Sequence, residues 1–168
     1  LDGNAVSQFC DDGRGNLWIA TENGGLNHFD VRNRKFTNHT ARSHNNLHAL
    51  CMDGDDLLIG TFSQGLDLMN LRTGKVVNYR NIPGDSASLC NDYVYAIFRA
   101  SDGTLYVGTM SGMCTFDKRR GRFSRVKITE GRFIYDIAED TGGNIWVASK
   151  VSGIYRYSPG DGTWKNYR

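Results

Sequence analysis

One short phrase recurs four times along this chain and limits it to one kind of architecture. The copies are Leu17-Trp-Ile-Ala-Thr21, Leu57-Leu-Ile-Gly-Thr61, Leu105-Tyr-Val-Gly-Thr109 and Ile145-Trp-Val-Ala-Ser149. Each is followed by a glycine (Gly25, Gly65, Gly112, Gly153) and then an apolar residue (Leu26, Leu66, Met113, Ile154). The first residues of successive copies are 40, 48 and 40 positions apart. A repeat of this length, written only in strand and turn signals, has the size of one β-propeller blade.

Each unit offers four short strands. The first opens with an apolar pair three apart: Val6/Phe9, Leu47/Leu50, Val94/Ile97 and Ile134/Ile137. A turn follows, carrying Asp12-Gly13, Asp53-Gly54, Asp102-Gly103 or Gly142-Gly143-Asn144. Glycine supplies positive φ there and the Asp or Asn side chain bonds the backbone, which is hairpin chemistry. The repeated phrase is the second strand. The third alternates as a strand should, as in Leu26-Asn-His-Phe29 and Met113-Cys-Thr-Phe116. Polar turns such as Arg72-Thr-Gly-Lys75 lead to the fourth, for example Phe36-Thr-Asn-His39 and Trp164-Lys-Asn-Tyr167. No segment sustains a 3.6-residue apolar period, so the chain reads as all-β.

The first two strands are apolar on both faces and the fourth is mixed. That gradient fits a propeller, whose inner strands are sandwiched between neighbouring blades while the outer strand meets solvent. The expected blades are residues 5–40, 46–80, 93–127 and 133–168. Four lie at the bottom of the ~4–8 range for propellers. The chain is therefore expected to supply four four-stranded blades of a larger ring, leaving apolar faces at both ends of the row. A closed four-bladed ring is the alternative.

Charge is balanced, with 20 Lys+Arg against 18 Asp+Glu and no block of one sign. This excludes the basic footprint of a nucleic-acid binder, and no direct nucleic-acid contact is expected. No apolar run approaches the ~18 residues that span a bilayer, and no leader is apparent ahead of the first repeat. The four cysteines form no CxxC pair. Cys10 and Cys51 share a repeat slot with Phe98 and Ala138, so that slot serves packing. The thiols are expected to be buried, with a disulfide or metal site as the alternative.

These residues resemble a known family. Asp11-Asp-Gly-Arg-Gly-Asn-Leu-Trp-Ile-Ala-Thr21 followed by Gly24-Gly-Leu-Asn-His-Phe-Asp30 is similar to the two-component regulator propeller repeat. So is Glu139-Asp-Thr-Gly-Gly-Asn-Ile-Trp-Val-Ala-Ser149 with Gly153-Ile-Tyr-Arg-Tyr157. The second copy departs from the pattern, with a shorter turn and Leu58 in place of Trp. The third has Tyr106 there and a shortened Ser111-Gly112 turn. The resemblance implies the periplasmic sensor region of a hybrid two-component protein of the Bacteroidetes type. In such proteins paired seven-bladed propellers and an Ig-like domain precede a membrane helix, a histidine kinase and a DNA-binding output. The implied signal is an oligosaccharide, and the implied parent is a homodimer anchored in the inner membrane. Kinase, receiver and output segments are not in this sequence.

Catalytic chemistry finds little support. The acid pairs Asp11-Asp12, Asp55-Asp56 and Glu139-Asp140 lie at first hairpins, where carboxylates serve the turn, and only secondarily suggest glycosidase or calcium sites. His28, His39, His44 and His48 show no metal-ligand spacing. There is no Gly-x-Ser-x-Gly elbow and no phosphate-cradling loop. Trp18, Trp146 and Trp164 sit at repeat positions and are expected to pack in the core. Neither a catalytic residue nor a cofactor is expected.

A ligand face is the stronger candidate. In propellers it is usually built by loops entering the first strand and loops joining the second to the third. Here those loops carry His44, His48, Tyr93, Tyr95, Arg132 and Tyr135, with Glu22, Asn23, Ser63, Gln64, Ser111 and Lys150. Ser7, His48, Tyr95 and Tyr135 are equivalent positions, three of which present a ring. Aromatic faces beside amides, hydroxyls and a cation suit a sugar. The candidate ligand residues are thus His48, Tyr95, Tyr135, Asn23, Gln64, Ser111, Lys150 and Arg132, although the same tyrosines could instead pack between blades. A metal-dependent propeller lyase of the virginiamycin type, with similar Gly-Asn-Leu-Trp phrases, and a protein-interaction scaffold remain alternatives.

Overall fold

In its second and third copies the repeated phrase folds as a strand buried on both sides. Leu57, Leu58, Ile59, Gly60 and Thr61 are all buried, as are the five residues Leu105–Thr109. In a computed structural model describing residues 1–39 and 45–168, every unit is a four-stranded antiparallel sheet with strands in chain order. The first holds β1 (Val6–Asp11), β2 (Leu17–Thr21), β3 (Gly25–Asp30) and β4 (Lys35–His39). The second holds β5 (Leu47–Asp53), β6 (Asp56–Thr61), β7 (Leu66–Asn70) and β8 (Val76–Tyr79). The third comprises β9 (Val94–Arg99), β10 (Leu105–Thr109), β11 (Gly112–Asp117) and β12 (Arg122–Arg125). The fourth comprises β13 (Ile134–Glu139), β14 (Ile145–Ser149), β15 (Gly153–Ser158) and β16 (Thr163–Tyr167).

The first strands lie side by side, β1 against β5, β5 against β9 and β9 against β13. Successive sheets therefore stand around an axis as propeller blades. Three cores fill the gaps between them. Trp18, Ala20 and Leu26 of the first blade meet Leu50, Leu57 and Ile59 of the second. Leu58 and Leu66 meet Ile97, Leu105 and Phe116 of the third. Tyr106 and Met113 meet Ile137, Val147 and Tyr155 of the fourth. The second and third blades thus bury a face on each side and the end blades one face each, and since apolar burial stabilises by ~25 cal/mol per Å², these seams hold the molecule together.

The phrase's last two residues have local reasons. The Thr21, Thr61 and Thr109 hydroxyls donate to the carbonyls of Gly25, Gly65 and Gly112 at 2.9, 2.8 and 2.7 Å, closing each turn between second and third strands. Before the threonine, the second and third copies need glycine. A Cβ on Gly60 would meet Val94 Cγ1 at 2.7 Å, and one on Gly108 would meet Ile134 Cγ2 at 2.7 Å.

Acidic residues of the first hairpins do more than shape turns. Asp11 and Asp12 do accept backbone N–H groups of the turn, as expected. Asp53, however, pairs with Arg99 at 2.7 Å and Asp56 with Lys118 at 2.8 Å, both across the seam to the third blade. Glu139 accepts from the Ser101 hydroxyl at 2.6 Å across the last seam.

The row of blades is an open arc. Phe9 of β1 is 67% exposed, whereas Leu50, Ile97 and Ile137 at the same position are 3%, 6% and 5% exposed. At the other end Ile154 is 47% exposed against 5%, 0% and 1% for Leu26, Leu66 and Met113. Among the described residues no helix is long and apolar enough to cross a membrane.

Candidate functional site

The axial face is built by one backbone device repeated in every blade. The N–H groups of Glu22, Phe62, Met110 and Lys150 donate to the carbonyls of Ala5, Asn46, Tyr93 and Phe133 at 2.9–3.0 Å. Each bond ties the turn after the second strand to the residue entering the first. Just beyond, the ladder slips. Val6 and Gln8 face Thr21 and Ala20, so Ser7 is skipped, and His48, Tyr95 and Tyr135 are skipped in the same way. A residue at a β-bulge leaves the pairing pattern and its side chain is re-aimed. All four equivalent positions singled out from the sequence are therefore bulge positions.

The re-aimed rings form a continuous aromatic ribbon across three blades. His48 lies 5.6 Å from Phe62 and 4.8 Å from Tyr95, ring centre to ring centre. Tyr95 lies 4.5 Å from Phe133, which in turn is 6.1 Å from Tyr135. Tyr93 stands edge-on to Phe62 at 5.0 Å, and the Lys150 ammonium sits 5.3 Å above Phe133. Beside the ribbon opens a cleft of about 470 Å³ lined by Ser7, Glu22, His48, Tyr95, Tyr135 and Asp136. Burial, with Tyr93 and Tyr135 nearby, raises the Tyr95 pKa. Its phenol therefore stays neutral and able to donate at physiological pH.

Of the residues named from the sequence, His48, Tyr95 and Tyr135 come together at this cleft, and Lys150 joins them through Phe133. Ser7 and Glu22, also named there, line it too, whereas the remaining candidates do not. Asn23 adopts φ 64° in its turn and borders a separate hollow with Asp2 and Asn45. The Gln64 side chain is engaged by Arg80 at 2.8 Å. Ser111 borders a crevice on the flank of the third blade. Arg132 is exposed, its backbone N–H bonded to Thr129. His44 lies outside the described residues. Phe62 and Phe133 were not singled out from the sequence, although they directly follow Thr61 and Arg132, which were.

One His–carboxylate pair occurs elsewhere, in the seam between the first two blades. His28 Nε2 lies 3.0 Å from Asp12 Oδ2, with Trp18 packed on the imidazole at 4.5 Å. Burial would raise the Asp12 pKa, but hydrogen bonds from His28, Asn16 and the Arg14 backbone outweigh it and hold the carboxyl below its usual range. Asp140, the equivalent in the fourth blade, instead accepts from Trp146 and Asn144, which lower it to about 2. Both carboxylates thus fasten their blade's turn, and neither faces the axial cleft.

Residues 1–23 and 88–111 match the family described as two component regulator propeller. These stretches hold the first-strand entries and the repeated phrase of the first and third blades. Both stretches are two-component regulator propeller repeats. It is 31% identical over 81 residues to histidine kinase P4 of Formosa agariphila, an alignment covering 42% of this chain and 6% of that protein. Among solved structures it superposes on the extracellular domain assigned to a hybrid two component system of B. thetaiotaomicron, with TM-score 0.83 and 25% identity. That match covers all of this chain and 25% of the other. Virginiamycin B lyase from Staphylococcus aureus shares the fold at TM-score 0.73 and 12% identity, covering 98% of this chain and 55% of the lyase. The chain thus spans a quarter of the length of that extracellular domain.

Proposed function

We propose that this chain is part of the non-catalytic, extracellular or periplasmic sensor propeller of a hybrid two-component signalling protein, and that its axial face binds an oligosaccharide. The observation that carries the ligand assignment is the aromatic ribbon of His48, Tyr95, Phe133 and Tyr135 beside the polar cleft. Sugar rings present apolar C–H faces to aromatic rings and hydroxyls to groups such as Ser7, Glu22 and Asp136. The uncovered faces at Phe9 and Ile154 support further blades of the same parent completing the ring. An Ig-like domain and a homodimeric kinase in that parent follow from the family resemblance.

Signalling in this scheme requires the ligand to bind two arrangements of the sensor with different affinity. A cleft bordered by several blades suits that role, because one occupant touches elements that can shift relative to each other. The test is calorimetric titration with a panel of plant and algal oligosaccharides in the presence of EDTA. Binding that survives the chelator and weakens at least about tenfold (~1.4 kcal/mol) in Tyr95→Ala/Tyr135→Ala supports the sensor. Binding by no member of the panel, or turnover that needs a divalent metal, overturns it, and the latter outcome favours the lyase alternative.

A further inference from the structure

The third blade breaks an internal rule kept by the first two. In those blades an asparagine of the fourth strand stands opposite a polar residue of the third and donates to it. Asn38 Nδ2 reaches Asn27 Oδ1 at 3.4 Å, and Asn78 Nδ2 reaches Asp67 Oδ1 at 2.7 Å. In the third blade the corresponding pair is Arg125 opposite Cys114. The segment entering the first strand changes with it. In the first blade the Asp2 N–H donates to Asn27 Oδ1 at 3.1 Å. Leu89-Cys-Asn-Asp-Tyr-Val94 aligns with Leu1-Asp-Gly-Asn-Ala-Val6, so Cys90 takes the place of Asp2 as Cys114 takes that of Asn27. Two thiols thus take the places of the two groups that the first blade joins by a hydrogen bond.

We propose that Cys90 and Cys114 are a redox-active dithiol that closes to a disulfide, clamping the entry segment of the third blade to its third strand. Cys90 packs against the core that holds Cys114, and Arg125, opposite Cys114 in the ladder, reaches back to the carbonyl of Leu89 next to Cys90 at 3.4 Å. Cys114 is completely buried in the seam between the second and third blades. Cys90 is only half-buried and borders a crevice of about 580 Å³ shared with Asn81, Arg125 and Ser111. One sulfur is therefore open to a reagent and the other waits behind it. The ionisation order agrees. The neighbouring Cys114 and Arg125 outweigh burial and lower the Cys90 pKa, whereas burial raises that of Cys114.

The oxidant is a disulfide, of a small molecule such as oxidised glutathione or of a thiol oxidase. The Cys90 thiolate attacks one sulfur, forming a mixed disulfide and releasing the first thiol. Cys114 then attacks Cys90 Sγ, its proton passing to the departing thiolate, which leaves as the second thiol. One external disulfide is consumed, two thiols leave, and the protein loses two hydrogens. The entry segment is anchored on both sides of Cys90. Asn81 Nδ2 donates to the carbonyl of Leu89 at 2.7 Å, and Asp92 binds Arg80 at 2.7 Å. Such bridges form and persist in oxidising compartments.

The test is incubation of the reduced, native chain with oxidised glutathione, followed by alkylation, trypsin digestion and mass spectrometry. Cleavage after Arg80, Arg99 and Lys118 places the two cysteines on separate peptides, 81–99 and 100–118. The expected result is those peptides joined, with Cys10 and Cys51 still alkylated on denaturation. Reduction should then lower the melting temperature by about 5 °C or more. Cys90→Ser should abolish the link and the temperature shift together, and Arg125→Gln should slow the link without preventing it. A lasting glutathione adduct on Cys90 would overturn the proposal. So would recovery of both peptides unlinked, or a Cys10–Cys51 bridge in their place. Should Cys114→Ala fold, its Cys90 must stop at the mixed disulfide, and failure to do so would count equally against the proposal.

Discussion

The backward face of the first blade and that of the third are written in nearly the same residues but live in different surroundings. Val6 and Phe9 of β1 correspond to Val94 and Ile97 of β9, yet the first pair is exposed and the second buried against the second blade. Local sequence cannot distinguish them. What differs is whether another blade stands behind, so in a repeat protein burial is a property of the seam rather than of the residue.

The largest expected effect exploits that contrast directly. Ile97→Ala should destabilise the chain by about 2–5 kcal/mol in denaturant unfolding, because it opens a cavity in a closed seam. Phe9→Ala should change stability by less than about 0.5 kcal/mol. Comparable losses for the two would mean that the first blade's outer face is covered in solution. Next comes the contact of β6 and β10 with the following blade. Gly108→Ala should cost about 1–3 kcal/mol through overpacking against Ile134, whereas the reverse change at the exposed equivalent, Ala148→Gly, should cost under about 1 kcal/mol.

A polar seam offers a smaller and pH-dependent comparison. Burial would raise the pKa of Asp53 and Asp56, but hydrogen bonds from Lys118, with Arg99 on Asp53 and Asn70 on Asp56, lower both. Their contribution is present above the ordinary carboxylate range near ~4 and is lost as pH falls through the depressed values. Lys118 is partly buried too, which alone would lower it, yet the two carboxylates raise it. Its contribution holds below the ordinary lysine range and disappears as pH rises through the raised value. Lys118→Met should cost about 1–2 kcal/mol at neutral pH, and the loss relative to the parent chain should shrink toward acid in melting curves. Smallest of all, Tyr135→Ala should leave stability within about 0.5 kcal/mol, since its ring is exposed and stands outside the ladder. A much larger loss would recast that ring as a packing residue.

The architecture was legible because the phrase repeats: strand type, turn chemistry and the pairing of Thr21, Thr61 and Thr109 with following glycines all follow from local pattern. The uncovered ends at Phe9 and Ile154 were legible too, from the count of units. The site was legible only in part. Alignment of repeats found Ser7, His48, Tyr95 and Tyr135, but it gave no sign that each is skipped by the ladder. Phe62 and Phe133 escaped because no equivalent blade carries an aromatic residue at both positions, and their nearness to His48 and Tyr95 arises only when blades are stacked. Asn23 and Gln64 sit in the right loops by sequence, yet the turn backbone and Arg80 hold them away from the cleft. The acid pairs misled in the other direction. Their turn role is visible in sequence, whereas Asp53 and Asp56 reach residues 46 and 62 positions away.

The skipped residue at the head of every inner strand leaves these proteins an unusual freedom. Its neighbours on both sides keep their partners whatever side chain it bears, so serine, histidine and tyrosine occupy the same place without altering alignment of the sheet. The side chain displayed at the axis can therefore change, blade by blade, while the framework of paired strands stays untouched.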